Sequence, residues 1–169
     1  MPTPARLEVA IDRIRRARLY TQQFLENLTP EEYFWSPSGY TTHIAWQIAH
    51  VAASQYNLCL RRLRGRTAED DAIISEQFID RFKIGSAPAA GATNNPPLGE
   101  IQRVFNAVHE QILAELPSVD NAELDWPAEP PHPRFKTKLG AIEYSPLHEY
   151  VHAGQIAMLR RLMGKPAVR

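Results

Sequence analysis

The sequence predicts an all-α fold, a four-helix bundle that forms one domain over residues 1–169. Four segments repeat apolar residues at spacings of three and four, the period of a helix with one buried face. No segment alternates apolar and polar residues strongly enough to predict a sheet. Because one interhelical segment is long, we expect a bundle with at least one long crossover connection.

The first predicted helix covers about residues 7 to 28. Its apolar face consists of Leu7, Ile11, Ile14, Ala17, Phe24 and Leu28. The arginines of this segment, Arg18 among them, fall mostly on other sides, and we expect them to form a solvated face. A short helical turn should follow, because Thr29, Pro30 and Glu32 have the pattern of a capping box with proline at the first helical position.

The second predicted helix extends from about Thr42 to Leu63 and has a polar as well as an apolar face. The polar face is a line of side chains spaced three or four residues apart: His43, Gln47, His50, Ser54, Asn57 and Arg61. This line is either the solvated side of a surface helix or one wall of a polar pocket. The spacing alone is compatible with both interpretations.

The remaining helices are separated by proline-rich segments. A short helix is expected near residues 69–84, followed by a loop rich in proline, glycine and asparagine. The third long helix starts near Pro97 and has a regular apolar stripe. The prolines between residues 126 and 134 argue against a helix there. The last helix is predicted to start with Ser145 as N-cap and Pro146 as first residue, and to end at Gly164.

Composition excludes several classes of function. Lysine plus arginine and aspartate plus glutamate number 19 each, so no net charge attracts nucleic acid or an anionic membrane. No run of apolar residues is long enough to predict a membrane-spanning helix. The first residues lack a signal-peptide pattern, and the single cysteine, Cys59, allows no internal disulfide. We therefore expect a cytoplasmic protein.

The most informative motif is HEYVH at residues 148–152, which has the H-E-x-x-H spacing of zinc proteases. On a helix, His148 and His152 continue into an apolar stripe through Ile156, Leu159 and Met163, so both imidazoles should point toward the bundle. Two imidazoles on adjacent turns can bind one metal ion. The alternative is a pair of histidines at the core edge, hydrogen-bonded to carbonyl groups or water.

A third ligand must come from upstream of the motif. The 17 residues after His152 contain no histidine, aspartate, glutamate or cysteine, and the extended protease pattern fails at Gln155 and Met158. His50 is the best candidate, because it lies on the polar line of the most apolar helix. His43 is the second choice, and His109 and His132 follow.

These segments together resemble a known family. The last helix, HEYVHAGQIAMLRRLMG, with a histidine in QIAHVAASQYN and the phrase RFKIGSAP at residues 81–88, is similar to the DinB/YfiT-like superfamily of metal-dependent enzymes. The resemblance covers essentially the whole chain. It implies a four-helix bundle of up-up-down-down type, often a homodimer, with three histidines binding a divalent metal, commonly zinc or nickel. Carried onto this sequence, those ligands are His50, His148 and His152.

The resemblance also bears on activity. Characterised relatives include transferases that depend on a thiol cofactor, an isomerase and hydrolases. We therefore expect a metal-dependent hydrolase or thiol-dependent transferase acting on a small molecule, with bacillithiol, mycothiol or neither as thiol. The alternatives are a stress or interaction protein whose metal has no catalytic role and, more remotely, an H-E-x-x-H zinc protease.

Three further side chains and one carboxylate are predicted near the ion. Glu149 is a candidate general base, with a partner that orients a ligand imidazole or a plain surface carboxylate as alternatives. Gln47 and Gln155 lie one turn from ligands and could hydrogen-bond a substrate or a water on the metal. His43 is expected to line the same pocket.

Overall fold

The computed structural model describes residues 5–40 and 42–168, which form a mostly helical protein with one small sheet. Its helices and strands are α1 Ala5–Gln23, α2 Pro30–Tyr33, α3 Ile44–Tyr56, α4 Arg62–Arg64, α5 Glu76–Phe82, α6 Leu98–Glu115, β1 Pro127–His132, β2 Phe135–Thr137 and α7 Lys138–Leu162. A π-helical turn, Asn57–Arg61, joins α3 to α4 without a break. The prediction of a helical fold is confirmed.

The core lies between four long helices. Helix α3 packs against both α6 and α7, and α1 packs along α7. Helix α3 is buried on most sides, including Ile44, Ile48 and Tyr56, which are fully buried. Because neighbouring helices surround α3, side chains on its polar line face other protein atoms. This favours the interpretation of the polar line as one wall of a polar pocket over that of a solvated side.

The two-stranded sheet was not predicted. Strands β1 and β2 pair antiparallel, with His132 opposite Phe135, although β1 contains three prolines. Proline lacks an amide donor and is tolerated on edge strands, and in a two-stranded sheet every strand is an edge. The sequence shows no alternation of apolar and polar residues here, because each strand buries only one residue, Ala128 in β1 and Phe135 in β2. The hairpin is therefore stabilised by its packing against α7, which a local sequence pattern does not predict.

The predicted start of the last helix is wrong. Helix α7 begins at Lys138, where the hydroxyl of Thr137 accepts the amide of Gly140 at 3.1 Å, and Pro146 lies inside the helix. An internal proline removes one helical hydrogen bond. Burial of Ala141 and Ile142 in the core compensates for that loss, because these residues keep the turn before the proline in helical conformation.

Other helix ends agree with the sequence. Thr29 and Glu32 form the predicted capping box around Pro30, and α6 starts directly after Pro97. Gly164 has a positive φ of 80° immediately after α7, where a side chain would strain the backbone. Across residues 5–40 and 42–168, none of the helices combines the length and the apolar character that crossing a membrane requires.

Candidate metal centre

Three histidines from two helices meet at one point. His50 comes from the middle of α3, and His148 and His152 come from successive turns of α7. The Nε2 atom of His148 lies 3.3 Å from Nε2 of His50 and 3.2 Å from Nε2 of His152. The predicted trio is thus brought together, and it is the one group in the described part of the chain whose ligand atoms could jointly hold an ion.

Two of the rings have their tautomers set by neighbouring acceptors. The Nδ1–H of His50 donates to the Phe82 carbonyl at 2.6 Å, and the Nδ1–H of His152 donates to Oε1 of Gln47. Gln47 is oriented in turn, because its amide donates to the Thr42 hydroxyl at 2.7 Å. A neutral imidazole that donates through Nδ1 has a lone pair on Nε2. Both Nε2 lone pairs therefore face the centre of the trio.

This arrangement fits a divalent metal ion. Two nitrogens that each lie about 2.1 Å from a tetrahedrally coordinated ion are about 3.4 Å apart, close to the 3.2 and 3.3 Å separations found here. Without an ion, His148 can donate one Nε2–H to only one of the two facing lone pairs. The second lone pair then faces His148 without accepting a hydrogen bond. An ion accepts all three lone pairs at once.

Burial keeps the imidazoles neutral, which is the form that binds metal. Desolvation, reinforced by the neighbouring histidines, lowers the pKa of His148 to about 4 and that of His152 to about 3. Desolvation also lowers the pKa of His50, although its bond to the Phe82 carbonyl opposes the shift. The indole of Trp46 stacks on the His50 ring at 4.8 Å and holds it in place.

Two cavities reach the trio from different sides. The smaller, of about 220 Å³, is lined by His50 and His148 together with Ser54, Asn57, Arg62, Lys83, His132 and Tyr144. The larger, of about 760 Å³, is mostly apolar and reaches His152 between Tyr40, Trp46, Pro88, Met158 and Leu162. We call them the polar cavity and the apolar cleft. Small-molecule sites commonly combine an apolar wall with a few convergent polar groups.

The other predicted pocket residues occupy different positions. Gln47 and Gln155 line the apolar cleft, and Gln47 also orients His152. His43 is fully buried as the N-cap of α3: its Nδ1 accepts the Trp46 amide at 3.1 Å and its Nε2 bonds the Ala89 carbonyl at 3.0 Å. Both ring nitrogens of His43 are therefore used to cap the helix and tether the loop that precedes α6.

Glu149 lies in a buried ion pair. Its carboxylate is 1% exposed and accepts a hydrogen bond from Nε of Arg18 at 2.8 Å, with Gln55 at 3.5 Å. The surface-carboxylate interpretation is therefore wrong. So is the expectation that Arg18 lies on a solvated face, because the α1–α7 contact buries it. Glu149 is directed toward α1, and the histidine trio does not include it.

Sequence reasoning missed two side chains of the polar cavity, Tyr144 and Arg62, and it ranked His132 only as a trailing candidate for a metal ligand. His132 is half-buried at the end of β1 and stacks on Phe135 at 4.2 Å. Tyr144 lies one turn before His148 on α7. Arg62 enters the same cavity from α4. No sequence signal places the hairpin, and with it His132, against α7. Arg62 was not identified because the π-helical turn before it shifts the helical periodicity by one residue.

The depressed pKa values predict an acid-sensitive metal-free protein. In the unfolded chain these histidines take up protons below the ordinary pKa of 6.5, whereas in the folded chain His148 and His152 do so only near pH 4 and pH 3. The unfolded state thus binds more protons in this window, and stability falls as the pH drops from 6.5 toward 4. We expect the metal-free melting temperature to fall by about 5 °C or more between pH 7 and pH 5.

Circular dichroism melts at each pH measure this effect. The double variant His148→Ala/His152→Ala should show a clearly smaller slope, while half-buried His109, whose pKa is lowered to about 3, contributes equally to both proteins. Equal slopes for the two proteins would contradict the assignment.

Gln47 gives a second prediction. Gln47→Leu removes the acceptor for the Nδ1–H of His152. Loss of such a ring-orienting partner typically weakens metal binding by about 10–100-fold. Gln47→Glu keeps an acceptor oxygen and should retain affinity. Competition titrations with a chromophoric chelator measure both variants, and an unchanged affinity for Gln47→Leu would show that the ring needs no orientation.

Comparison with known proteins adds one finding. A family model described as the DinB superfamily matches residues 13–156, a range that contains all three histidines and the buried Arg18–Glu149 pair. No curated protein matches the chain.

Proposed function

The chain belongs to the DinB superfamily, and from this premise we propose that it is a divalent-metal-dependent enzyme acting on a small molecule at the three-histidine site. The observation that carries the proposal is the convergence of three Nε2 atoms between two cavities. Zinc or nickel is the proposed metal, since imidazole suits both. The proposed reaction is either hydrolysis of a small molecule or a transfer reaction that depends on a small-molecule thiol.

His50, His148 and His152 would hold the ion, and a three-ligand site leaves coordination positions open. A bound divalent ion supplies Lewis acidity that lowers the pKa of a coordinated water or thiol toward neutrality. The protein contributes fixed imidazoles, a polar cavity beside His148 and an apolar cleft beside His152. A substrate can thus place a polar group in one cavity and an apolar group in the other.

Side chains near the trio narrow the chemistry. Cys59 is fully buried and desolvation raises the pKa of its thiol to about 12, so a reacting thiol has to come from a small molecule. Glu149 is paired with Arg18, which speaks against a general-base role and against the protease alternative. Tyr144 and His132 line the polar cavity, and they carry a hydroxyl and an imidazole that can hydrogen-bond a substrate.

The proposal extends to assembly and location. We propose a cytoplasmic homodimer whose four long helices α1, α3, α6 and α7 form an up-up-down-down bundle. An exposed apolar stripe on α7 supports pairing with a second copy of the chain. Its residues are each more than half exposed: Leu147, Val151, Met158 and Leu162. The balanced charge gives no support to nucleic acid as a partner.

The competing function is a metal that only holds the helices together. The polar cavity argues for catalysis, because a purely structural site is closed to solvent and ligands. The test uses protein made with a histidine-free tag and loaded with zinc or nickel. We expect about one metal per chain, together with hydrolysis of an activated ester or thiol transfer to an electrophile that chelation abolishes.

His148→Ala supplies the control, and it should lose both the metal and the activity. Activity that is equal in wild type and His148→Ala overturns the enzyme proposal. A metal with no exchangeable coordination position, measured by water proton relaxation of the nickel-loaded protein, favours the structural alternative.

A further inference from the structure

We infer that Arg62 binds a carboxylate of the substrate in the polar cavity while the reacting group lies at the three-histidine centre. This rests on the proposed function and adds the substrate class, a small molecule with a carboxylate on the side of His50 and His148. Three observations carry it: an arginine without an acidic partner, a helix geometry that directs it into the cavity, and a cavity lining whose other cationic side chain is already paired.

Arg62 lacks the partners that other arginines of this protein have. Arg18, Arg64 and Arg66 each have acidic partners, whereas no carboxylate within residues 5–40 and 42–168 pairs with Arg62. Its hydrogen bond to the Asn57 carbonyl is long, at 3.4 Å, and its buried Nε has no partner. Burying an unpaired guanidinium donor is costly, so a missing acceptor is the expected explanation.

The π-helical turn selects Arg62 instead of Arg61. In an unbroken α-helix the polar line through His50, Ser54 and Asn57 continues to Arg61. A π turn contains one extra residue, so the next position on this face becomes Arg62. Arg62 accordingly lines the polar cavity with His50 and His148, while Arg61 points away and pairs with Glu76.

The side chains around the cavity leave Arg62 as the group that can bind an anion. Lys83, the other cation of the lining, pairs with Asp80 at 2.9 Å. Desolvation and the charge of Arg62 lower the pKa of His132, so this ring is neutral. One uncompensated guanidinium remains, and its planar fork matches the two oxygens of a carboxylate.

Cavity size fits this assignment. A sphere of 220 Å³ is about 7–8 Å across, so a group bound to Arg62 and a group at the histidines are separated by a few bonds. Leu58 and Ile84 form an apolar side of this space. The substrate end in the polar cavity is therefore short, and bulkier apolar portions belong in the apolar cleft.

The experiment uses the cobalt-loaded full chain and measures thiolate-to-cobalt charge-transfer absorption. The probes are 3-mercaptopropionate and 4-mercaptobutyrate, each compared with its neutral amide. The wild type should bind at least one acid about tenfold or more tightly than its amide, the scale expected for a charged hydrogen bond. Arg62→Gln should reduce this ratio to near one, and Arg62→Lys should retain part of it.

Arg61→Gln is the matched control, because it removes the same charge from the adjacent position and should keep the wild-type ratio. A ratio near one in the wild type, or a full ratio in Arg62→Gln, overturns the inference while the metal site stands. Absence of the absorption band with every thiol, in protein that holds cobalt, also overturns the inference. Absence of bound cobalt by elemental analysis overturns the metal site itself and with it the proposed function. Melting curves confirm that each variant is folded.

Discussion

Replacing His148 with alanine is expected to weaken metal binding by a factor of about a hundred or more and to reduce the metal content well below one per chain. His148 is the central ligand, since its Nε2 lies 3.3 and 3.2 Å from the other two. Its removal leaves two ligands, while losing only a partner that orients a ligand already costs about 10–100-fold. Elemental analysis after dialysis and chelator competition measure the loss.

His132→Ala is the matched control for this result. His132 lines the same polar cavity, yet it is not part of the histidine trio. This variant should keep about one metal per chain and an unchanged affinity. Full metal occupancy in His148→Ala would show that the ligand set is wrong. Loss of metal in His132→Ala would show that the hairpin supplies a ligand.

Replacing Arg18 or Glu149 alone is expected to destabilise the fold by about 3–5 kcal/mol, because each substitution leaves the other charge buried and unpaired. Both side chains are almost fully buried, at 3% and 1% exposure. Arg18 also donates to the Phe105 carbonyl at 2.7 Å and to Gln55 at 2.9 Å, and its guanidinium stacks on the Phe105 ring. The ion pair thus ties α1, α3, α6 and α7 together.

Urea unfolding of Arg18→Met, Glu149→Leu and the double variant measures this effect. The double variant should recover much of the loss, since an apolar pair can replace a buried ion pair. Arg16→Ala, which breaks an exposed pair with Asp12, should have little effect on stability. Stability changes below 1 kcal/mol in both single variants would contradict the structural role of the pair.

The same variants separate the two roles considered for Glu149. As a structural partner of Arg18, Glu149 can be changed to glutamine with loss of stability but with metal occupancy unchanged. If Glu149 were a general base, Glu149→Gln would remove the activity of fully loaded, folded protein. The carboxylate directed toward Arg18 supports the first outcome.

Local patterns in the sequence were sufficient for most of the helices and for the histidine trio. Helix period, capping residues and the His148–His152 spacing act over a few residues, so they can be read without a fold. The limits of local reasoning appear where a local rule competes with packing. Pro146 is a normal first residue of a helix, but burial of the preceding turn extends α7 back to Lys138.

Only the tertiary structure decided which polar groups are paired and what surrounds the histidines. Arg18 and Glu149 are 131 residues apart, and neither sequence neighbourhood indicates the other. The hairpin brings His132 to α7, and the π turn places Arg62 instead of Arg61 in the polar cavity. Neither placement can be seen in the amino-acid composition of these segments. The sequence by itself determined the helices and the candidate ligands, because those depend on short-range periodicity. The partners, the cavities and the unpaired arginine depend on long-range contacts, which no local pattern encodes.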